Sequence, residues 1–166
     1  MKNSSRLILL FIAAALGFWL WTVFFPGPKK IIGRQLASLA RDVSFQPDEN
    51  GLVKIAHAQS VEDFFTTNVE VNLSVPEHEQ QSIVGRDEIK QAVLVSLQRL
   101  SSLDVKFPDV NVTVAPDKNS AVADVTVDAA VAGESNAIVQ EVKFTFAKVD
   151  GQWLIDKVET VRVVTP

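Results

Sequence analysis

Two histidines, His57 and His78, are the side chains of this sequence best suited to acid–base chemistry near neutral pH. His57 lies between two alanines in a helical stretch, where it could serve as the base of a pocket, although a histidine without an acidic partner is more often a packed or surface residue. His78 stands among acids in a polar loop, and two histidines this far apart do not supply converging metal ligands. We therefore take His57 as the catalytic candidate and predict no metal site.

A second candidate is a pair of carboxylates on one predicted strand. Asp124 and Asp128, with Thr126 between them, share a face of that strand and could act as paired acid and base. The opposite face carries Val125 and Val127, which predict the side turned toward the core. The two acids should therefore point away from the interior, as part of a solvated sheet face.

The composition narrows the chemistry further. The chain of 166 residues has no cysteine, no tyrosine and a formal net charge of -4. Without thiols there can be no disulfide, thiol nucleophile or thiolate metal site. Nucleic-acid binding requires a concentrated basic face, which this charge distribution does not provide. We expect no nucleic-acid partner and no cofactor.

Residues 7–25 form an uncharged apolar run. At 1.5 Å per residue about 19 residues span roughly 28 Å, long enough for a transmembrane helix. Aromatic residues gather at its C-terminal end, and a Pro-Gly-Pro sequence follows. The predicted membrane-spanning residues include Leu7, Phe11, Leu16, Trp19, Trp21 and Phe25. A cleaved signal peptide is the alternative, because Lys2 and Arg6 precede the run and three alanines at 13–15 could be cut, but the remaining apolar region would be short.

Basic residues flank this run almost equally, with Lys2 and Arg6 before it and Lys29, Lys30 and Arg34 after it. We expect a single-pass protein of a bacterial inner membrane, held in the lipid bilayer by this helix, with the C-terminal domain exported. The predicted organisation is an N-terminal tail at 1–6, a span at 7–25, a linker at 26–29 and one domain at 30–166.

Three helical stretches come first in the domain. An apolar stripe with steps of four, three and four predicts a helix from about Lys29 to Ser44. In the second stretch Leu52, Ile55 and Ala56 share a face, and the Ser60-Val61-Glu62-Asp63 sequence resembles a capping box that starts a further short turn. A polar loop at 76–82 precedes the third helix, which opens at Gly85 with acidic residues in its first turn.

Strands dominate the rest of the domain. Alternation of apolar and polar residues predicts a strand starting near Val69 and an almost continuous series of strands after Val105. Asp150-Gly151 predicts a tight hairpin, and the apolar positions of the last strand change parity, which indicates a bulge or a strand covered on both faces. Helices followed by hairpin-linked strands predict an α+β fold in which three helices pack on an antiparallel sheet.

Three segments in this order resemble the nuclear transport factor 2-like superfamily, which includes SnoaL-like polyketide cyclases and ketosteroid isomerases. They are Val61-Glu62-Asp63-Phe64-Phe65-Thr66, Val84-Gly85-Arg86-Asp87-Glu88-Ile89 and the final hairpin around Asp150-Gly151-Gln152-Trp153. The resemblance implies a strongly curved, cone-shaped sheet around the first helix, with a pocket at one end. It also implies that Phe64, Phe65 and Trp153 contribute to that ligand pocket.

Two functions agree with this resemblance. The first is a membrane-tethered, non-catalytic binding or assembly module that contacts a second copy, another membrane-complex protein or a small hydrophobic ligand; its layout resembles inner-membrane scaffold subunits of type IV secretion systems. The second is an isomerase, cyclase or dehydratase that uses the pocket with His57 or a carboxylate as base. Enzymes of this superfamily often use a tyrosine hydroxyl, and its absence here favours the first function. Converging ionisable groups in the pocket would favour the second.

Overall fold

The computed structural model describes residues 27–74, 81–133 and 137–164, together with residues 12, 14 and 15. In these ranges the chain forms helix α1 (Pro28–Val43), helix α2 (Gly51–Ser60), a 3₁₀ helix (Val61–Phe64), strand β1 (Phe65–Leu73), strand β2 (Gln81–Val84), helix α3 (Arg86–Arg99), and strands β3 (Leu103–Val114), β4 (Ser120–Val131), β5 (Ile138–Val149) and β6 (Gln152–Val164). The predicted α+β order of helices and strands is confirmed.

The six strands form one sheet in the order β2-β1-β6-β5-β4-β3. It is a mixed sheet, because β1 and β6 run parallel while the other neighbours are antiparallel. The prediction of a purely antiparallel sheet was therefore wrong. Hairpins fix the antiparallel direction of neighbouring strands in the sequence, but most of the domain separates β1 from β6. Their parallel pairing places Val71 beside Val158, and both side chains are buried.

Helix α1 lies against the concave face of the sheet. Its stripe of Ile32, Leu36 and Leu39 is 0%, 0% and 5% exposed, as the apolar spacing predicted. Gln35 Nε2 donates a 2.6 Å hydrogen bond to the carbonyl oxygen of Trp153 in β6. The backbone N–H of Val105 in β3 donates to the hydroxyl of Ser44, directly after the helix. One helix thus reaches strands that β4 and β5 separate, so the sheet must curve around it.

The last hairpin has the predicted turn and the predicted change of parity. Asp150 and Gly151 have φ angles of 50° and 84°, the left-handed values that a tight two-residue turn requires. The pairing of β5 with β6 shifts register twice, skipping Asp156 and Val161. After each bulge, the residues of β6 that point inward are shifted by one position in the sequence. The two bulges therefore account for the parity change of the apolar residues.

The shared face of α2 is not the side that packs on the core. Leu52 and Ile55 are 77% and 46% exposed and Ala56 is exposed, whereas Ala58 is buried at 1%. The predicted capping box is also wrong: the Ser60 hydroxyl makes no cap bond and lies 2.8 Å from the carbonyl oxygen of His57 and 3.1 Å from Oδ2 of Asp42. Because α2 is short and meets the domain with its C-terminal end, its first turns extend beyond the core.

Two further predictions concern segments at the edge of the described residues. The predicted polar loop at 76–82 ends earlier than expected, since β2 begins at Gln81 and pairs with β1; residues 75–80 lie outside the description. The predicted span at 7–25 also lies outside it, apart from the helical and exposed residues 12, 14 and 15. Among the residues that are described, no helix combines the length and the apolar character needed to cross a membrane.

Candidate functional site

A cavity of about 390 Å³ lies between the sheet and the helices α1 and α3. The walls come from the C-terminal half of α1, the buried side of α3 and the inward positions of all six strands. The lining residues are Leu39, Val43, Val61, Phe65, Val71, Leu73, Ile83, Ile89, Ala92, Val93, Ser96, Val105, Phe107, Val127, Ala129, Ile138, Gln140, Val142, Phe144 and Val158. Of these 20 residues, 18 are apolar and none is ionisable.

The two polar side chains in the wall already have hydrogen-bond partners within the protein. Gln140 is 7% exposed, and its Nε2 donates to the carbonyl oxygen of Ser74 at 2.9 Å. The hydroxyl of Thr160 lies 3.4 Å from Oε1 of Gln140 and accepts a bond from the backbone N–H of Ser74. The Ser96 hydroxyl donates to the carbonyl of Ala92, one turn earlier in α3. These bonds leave a largely apolar interior.

The three aromatic residues predicted for the pocket occupy different places. Phe65 is 5% exposed and lines the cavity. Phe64 packs against the core without belonging to the described lining. Trp153 is buried at the start of β6, beneath the Lys148 ammonium at 5.9 Å from its ring centroid, and it too lies outside the lining. The structure therefore brings one of the three to the cavity.

His57 lies in a separate, open depression of about 420 Å³ at the end of α1. Its neighbours there include Arg41, Phe45, Asp48 and Glu49. Its Nδ1 atom is buried and has no hydrogen-bond partner among the described residues. A catalytic histidine requires a partner that fixes its tautomer, and no described residue fills that role. His78 lies outside the described residues.

The carboxylates of β4 belong to the outer face of the sheet, the face turned away from α1. Asp124 is exposed, as predicted, and lines an open depression of about 280 Å³ with Asp109, Glu141 and Val161. Asp128 is half-buried and lies close enough to Lys106 to interact with its charge. Within the described residues, no group of three or more histidines or carboxylates could hold a metal ion.

Charge pairs on this outer face perturb the ionisation of exposed groups. A 2.6 Å ion pair joins Lys157 to Glu159. The hydrogen bond and the charge of Lys157 lower the pKa of Glu159, and the same contact raises the pKa of Lys157. These pairs are solvent-exposed and screened, so they adjust the surface charge without creating a catalytic group.

Comparison with known proteins identifies the fold. No protein-family model matches this sequence, and no curated protein is similar to it in sequence. Solved structures do match: a proposed aromatic ring hydroxylase of Novosphingobium aromaticivorans has a TM-score of 0.64 at 15% identity, over 83% of this chain and 90% of that one. The yeast UBP3-associated protein BRE5 has a TM-score of 0.60 at 12% identity, over 82% and 95%. An NTF2-like protein of unknown function from Pseudomonas putida KT2440 has a TM-score of 0.59 at 7% identity, over 80% and 84%.

The chain has the nuclear transport factor 2-like fold. At these identities the likeness shows the fold alone, so the contents of the cavity must be judged from this chain. Most of the residues that line the cavity could not be recognised as pocket residues in the sequence, because core residues are of the same types. Gln140 could have been recognised, because it is the polar residue among the inward positions of β5, which are Ile138, Gln140, Val142 and Phe144.

Proposed function

We propose that this chain is a membrane-tethered, non-catalytic binding module whose cavity accepts an apolar group. The observation that supports this most strongly is the lining, in which 18 of 20 residues are apolar. Nε2 of Gln140 and the hydroxyl of Ser96 donate to carbonyl oxygens of the protein itself, so a guest would be held by shape and apolar contact. The guest is a small hydrophobic ligand or an apolar side chain of a partner protein.

The size of the cavity agrees with such a guest. A dry apolar cavity of about 150 Å³ is enough to bind benzene, and the present cavity measures about 390 Å³. Water binds weakly in an apolar cavity, because a buried water molecule needs two to four polar partners. Each methylene group transferred from water to such a site contributes about 0.8 kcal/mol. A compact two-ring compound or a short acyl chain would therefore bind favourably.

Catalysis by this cavity has less support. General acid–base chemistry requires a titratable group within hydrogen-bond reach of the substrate, and the described lining supplies none. His57 faces another depression. The structural neighbours include a proposed hydroxylase and a deubiquitinase-associated protein, so their names do not decide between the two classes.

The proposed tether is the apolar run at 7–25. Its length and lack of charge match the hydrocarbon thickness of a bilayer. Flotation of the full chain with neutral phosphatidylcholine vesicles tests the tether, because a protein held by an inserted helix floats with the vesicles at high salt and a peripheral protein does not.

Two neighbouring alanines of β4 provide a matched test of the cavity. Ala129 lines it, whereas Ala130 is exposed on the opposite side of the strand. The full chain in nanodiscs is titrated with the uncharged dye N-phenyl-1-naphthylamine, and the signal of empty nanodiscs is subtracted. We expect Ala129→Phe to weaken dye binding at least tenfold by filling the cavity, and Ala130→Phe to leave it unchanged. Equal affinities in both variants would overturn the proposed function.

A further inference from the structure

The first two turns of α1 carry three basic residues. Lys29, Lys30 and Arg34 are all exposed, and Lys30 and Arg34 are neighbours on the helix surface at a spacing of four. Among the described residues, no carboxylate forms an ion pair with any of the three. We call these three residues the basic patch.

Lys30 and Arg34 of the basic patch and the acids of the outer sheet face lie on opposite sides of the sheet. The buried stripe of α1 packs on the concave face of the sheet, so Lys30 and Arg34, on the opposite side of the helix, point away from the sheet. Lys29 lies three residues before Ile32, on the side of the stripe, and is exposed in the first turn. Asp109, Asp124 and Glu141 lie on the outer face, beyond the sheet. A chain with a net charge of -4 thus presents a positive side that an anionic partner can approach.

We propose that the basic patch binds the anionic headgroups of the membrane into which residues 7–25 insert. This inference rests on the proposed tether. The apolar run ends at residue 25 and α1 begins at Pro28, so the first helical turn can lie no more than about 10 Å from the end of the span. Close to an anionic surface each lysine or arginine strengthens binding by roughly fivefold, and this gain falls off within a Debye length.

Two neighbouring features define the extent of the contact. Ile31 lies within the basic patch and is 39% exposed, which suits an apolar side chain at the level of the headgroups. Arg41, in the last turn of α1, lines a depression together with Asp48 and Glu49, so acids offset its charge there. The lipid contact is therefore limited to the first half of the helix, and the cavity at the other end of α1 stays accessible.

The absence of cysteine allows a direct measurement on the full chain. Ala37 is exposed one turn after Arg34, and Thr113 is exposed on the outer sheet face as the matched control. Single Ala37→Cys and Thr113→Cys variants are placed in nanodiscs of phosphatidylcholine alone or with about one-third phosphatidylglycerol. The rate of reaction with an uncharged maleimide then reports the accessibility of each position.

We expect phosphatidylglycerol to slow the reaction at position 37 at least fivefold and to leave position 113 unchanged. Adding Lys30→Gln and Arg34→Gln, or raising the salt to about 1 M, should restore the rate, because salt at that concentration reduces the screening length to about 3 Å. As a control, Lys106→Gln with Lys143→Gln on the sheet should leave the slowed reaction rate at position 37 unchanged. Equal rates at position 37 in both lipids would overturn the inference.

Flotation separates this inference from the tether. If the chain floats with neutral vesicles but position 37 shows no lipid-dependent protection, the tether is supported and the headgroup contact is refuted. If the chain does not float with neutral vesicles, the tether is refuted. Binding to anionic vesicles that disappears with Lys30→Gln and Arg34→Gln would then still support the headgroup contact, and its persistence in that variant would overturn both.

Discussion

The Nε2 atom of Gln140 donates a 2.9 Å hydrogen bond to the carbonyl oxygen of Ser74, linking β5 to the end of β1 at the wall of the cavity. Thr160 of β6 completes this network by contacting both residues. A polar side chain that is 7% exposed is thereby used to hold three strands together. The network fixes the cavity wall through bonds within the protein.

Replacing Gln140 should therefore affect stability more than binding. Gln140→Leu leaves the Ser74 carbonyl without its donor, which we expect to lower the free energy of unfolding by about 1–3 kcal/mol. Urea denaturation measures this change, with Gln46→Leu at an exposed position as the control. Affinity for the naphthylamine dye should stay within about twofold. A folded Gln140→Leu protein that no longer binds the dye would show instead that the amide contacts the guest.

Binding of an apolar guest should not depend on pH. Because no ionisable side chain belongs to the described lining, the dye affinity of the native chain should be flat from about pH 5 to pH 8. His57→Ala should leave that profile unchanged, since His57 lines a different depression. A change of dye affinity across this pH range that disappears in His57→Ala would contradict the separation of the two sites.

The exposed face of α2 should tolerate polar residues. Leu52→Ser and Ile55→Ser change side chains that are 77% and 46% exposed, so each should alter the free energy of unfolding by no more than about 0.5 kcal/mol. Leu36→Ala, at a position that is 0% exposed, should cost about 2–5 kcal/mol. Denaturation of the three variants checks both statements. A large loss in either serine variant would mean that this face packs on another part of the chain.

The same substitution at two glycines should have opposite effects. Gly151→Ala introduces a side chain at a φ of 84° in the last hairpin and should destabilise the chain by about 1–2 kcal/mol. Gly33→Ala adds a methyl group inside α1, where no atom outside the local helix backbone lies within 4 Å, and should stabilise the chain by about 0.5–1 kcal/mol. Thermal or urea unfolding of both variants is decisive, and a stabilising Gly151→Ala would refute the assigned turn.

Much of the fold could be predicted because local spacing reports burial directly. The stripe at Ile32, Leu36 and Leu39 identified α1. The shift of parity between Ile155 and Val158 indicated a bulge or a strand covered on both faces, and the structure has a bulge there. The parallel pairing of β1 with β6 could not be predicted, since no hairpin connects these strands. The exposure of the apolar face of α2 could not be predicted either, because periodicity shows that residues share a face and not what that face contacts.

The candidate site was less predictable than the fold. Whether Val71, Val127 and Phe144 enclose a space or fill it depends on how α1 and α3 pack on the sheet, which the residue types do not encode. The aromatic residue Trp153 was expected in the pocket and lies buried outside the lining. Gln140 was identifiable as a polar residue on an inward face, but its role depends on Ser74, directly after β1, and on Thr160 of β6.

Methyl NMR of the full chain in nanodiscs would locate the bound dye most directly. With the methyl groups of valine, leucine and isoleucine labelled, we predict shift changes and contacts to the dye at Val71, Val127 and Ile138, which line the cavity. The exposed Leu52 and Val53 of α2 serve as an internal control. Changes confined to Leu52 and Val53, with the lining methyl groups undisturbed, would contradict the account that the cavity binds apolar groups.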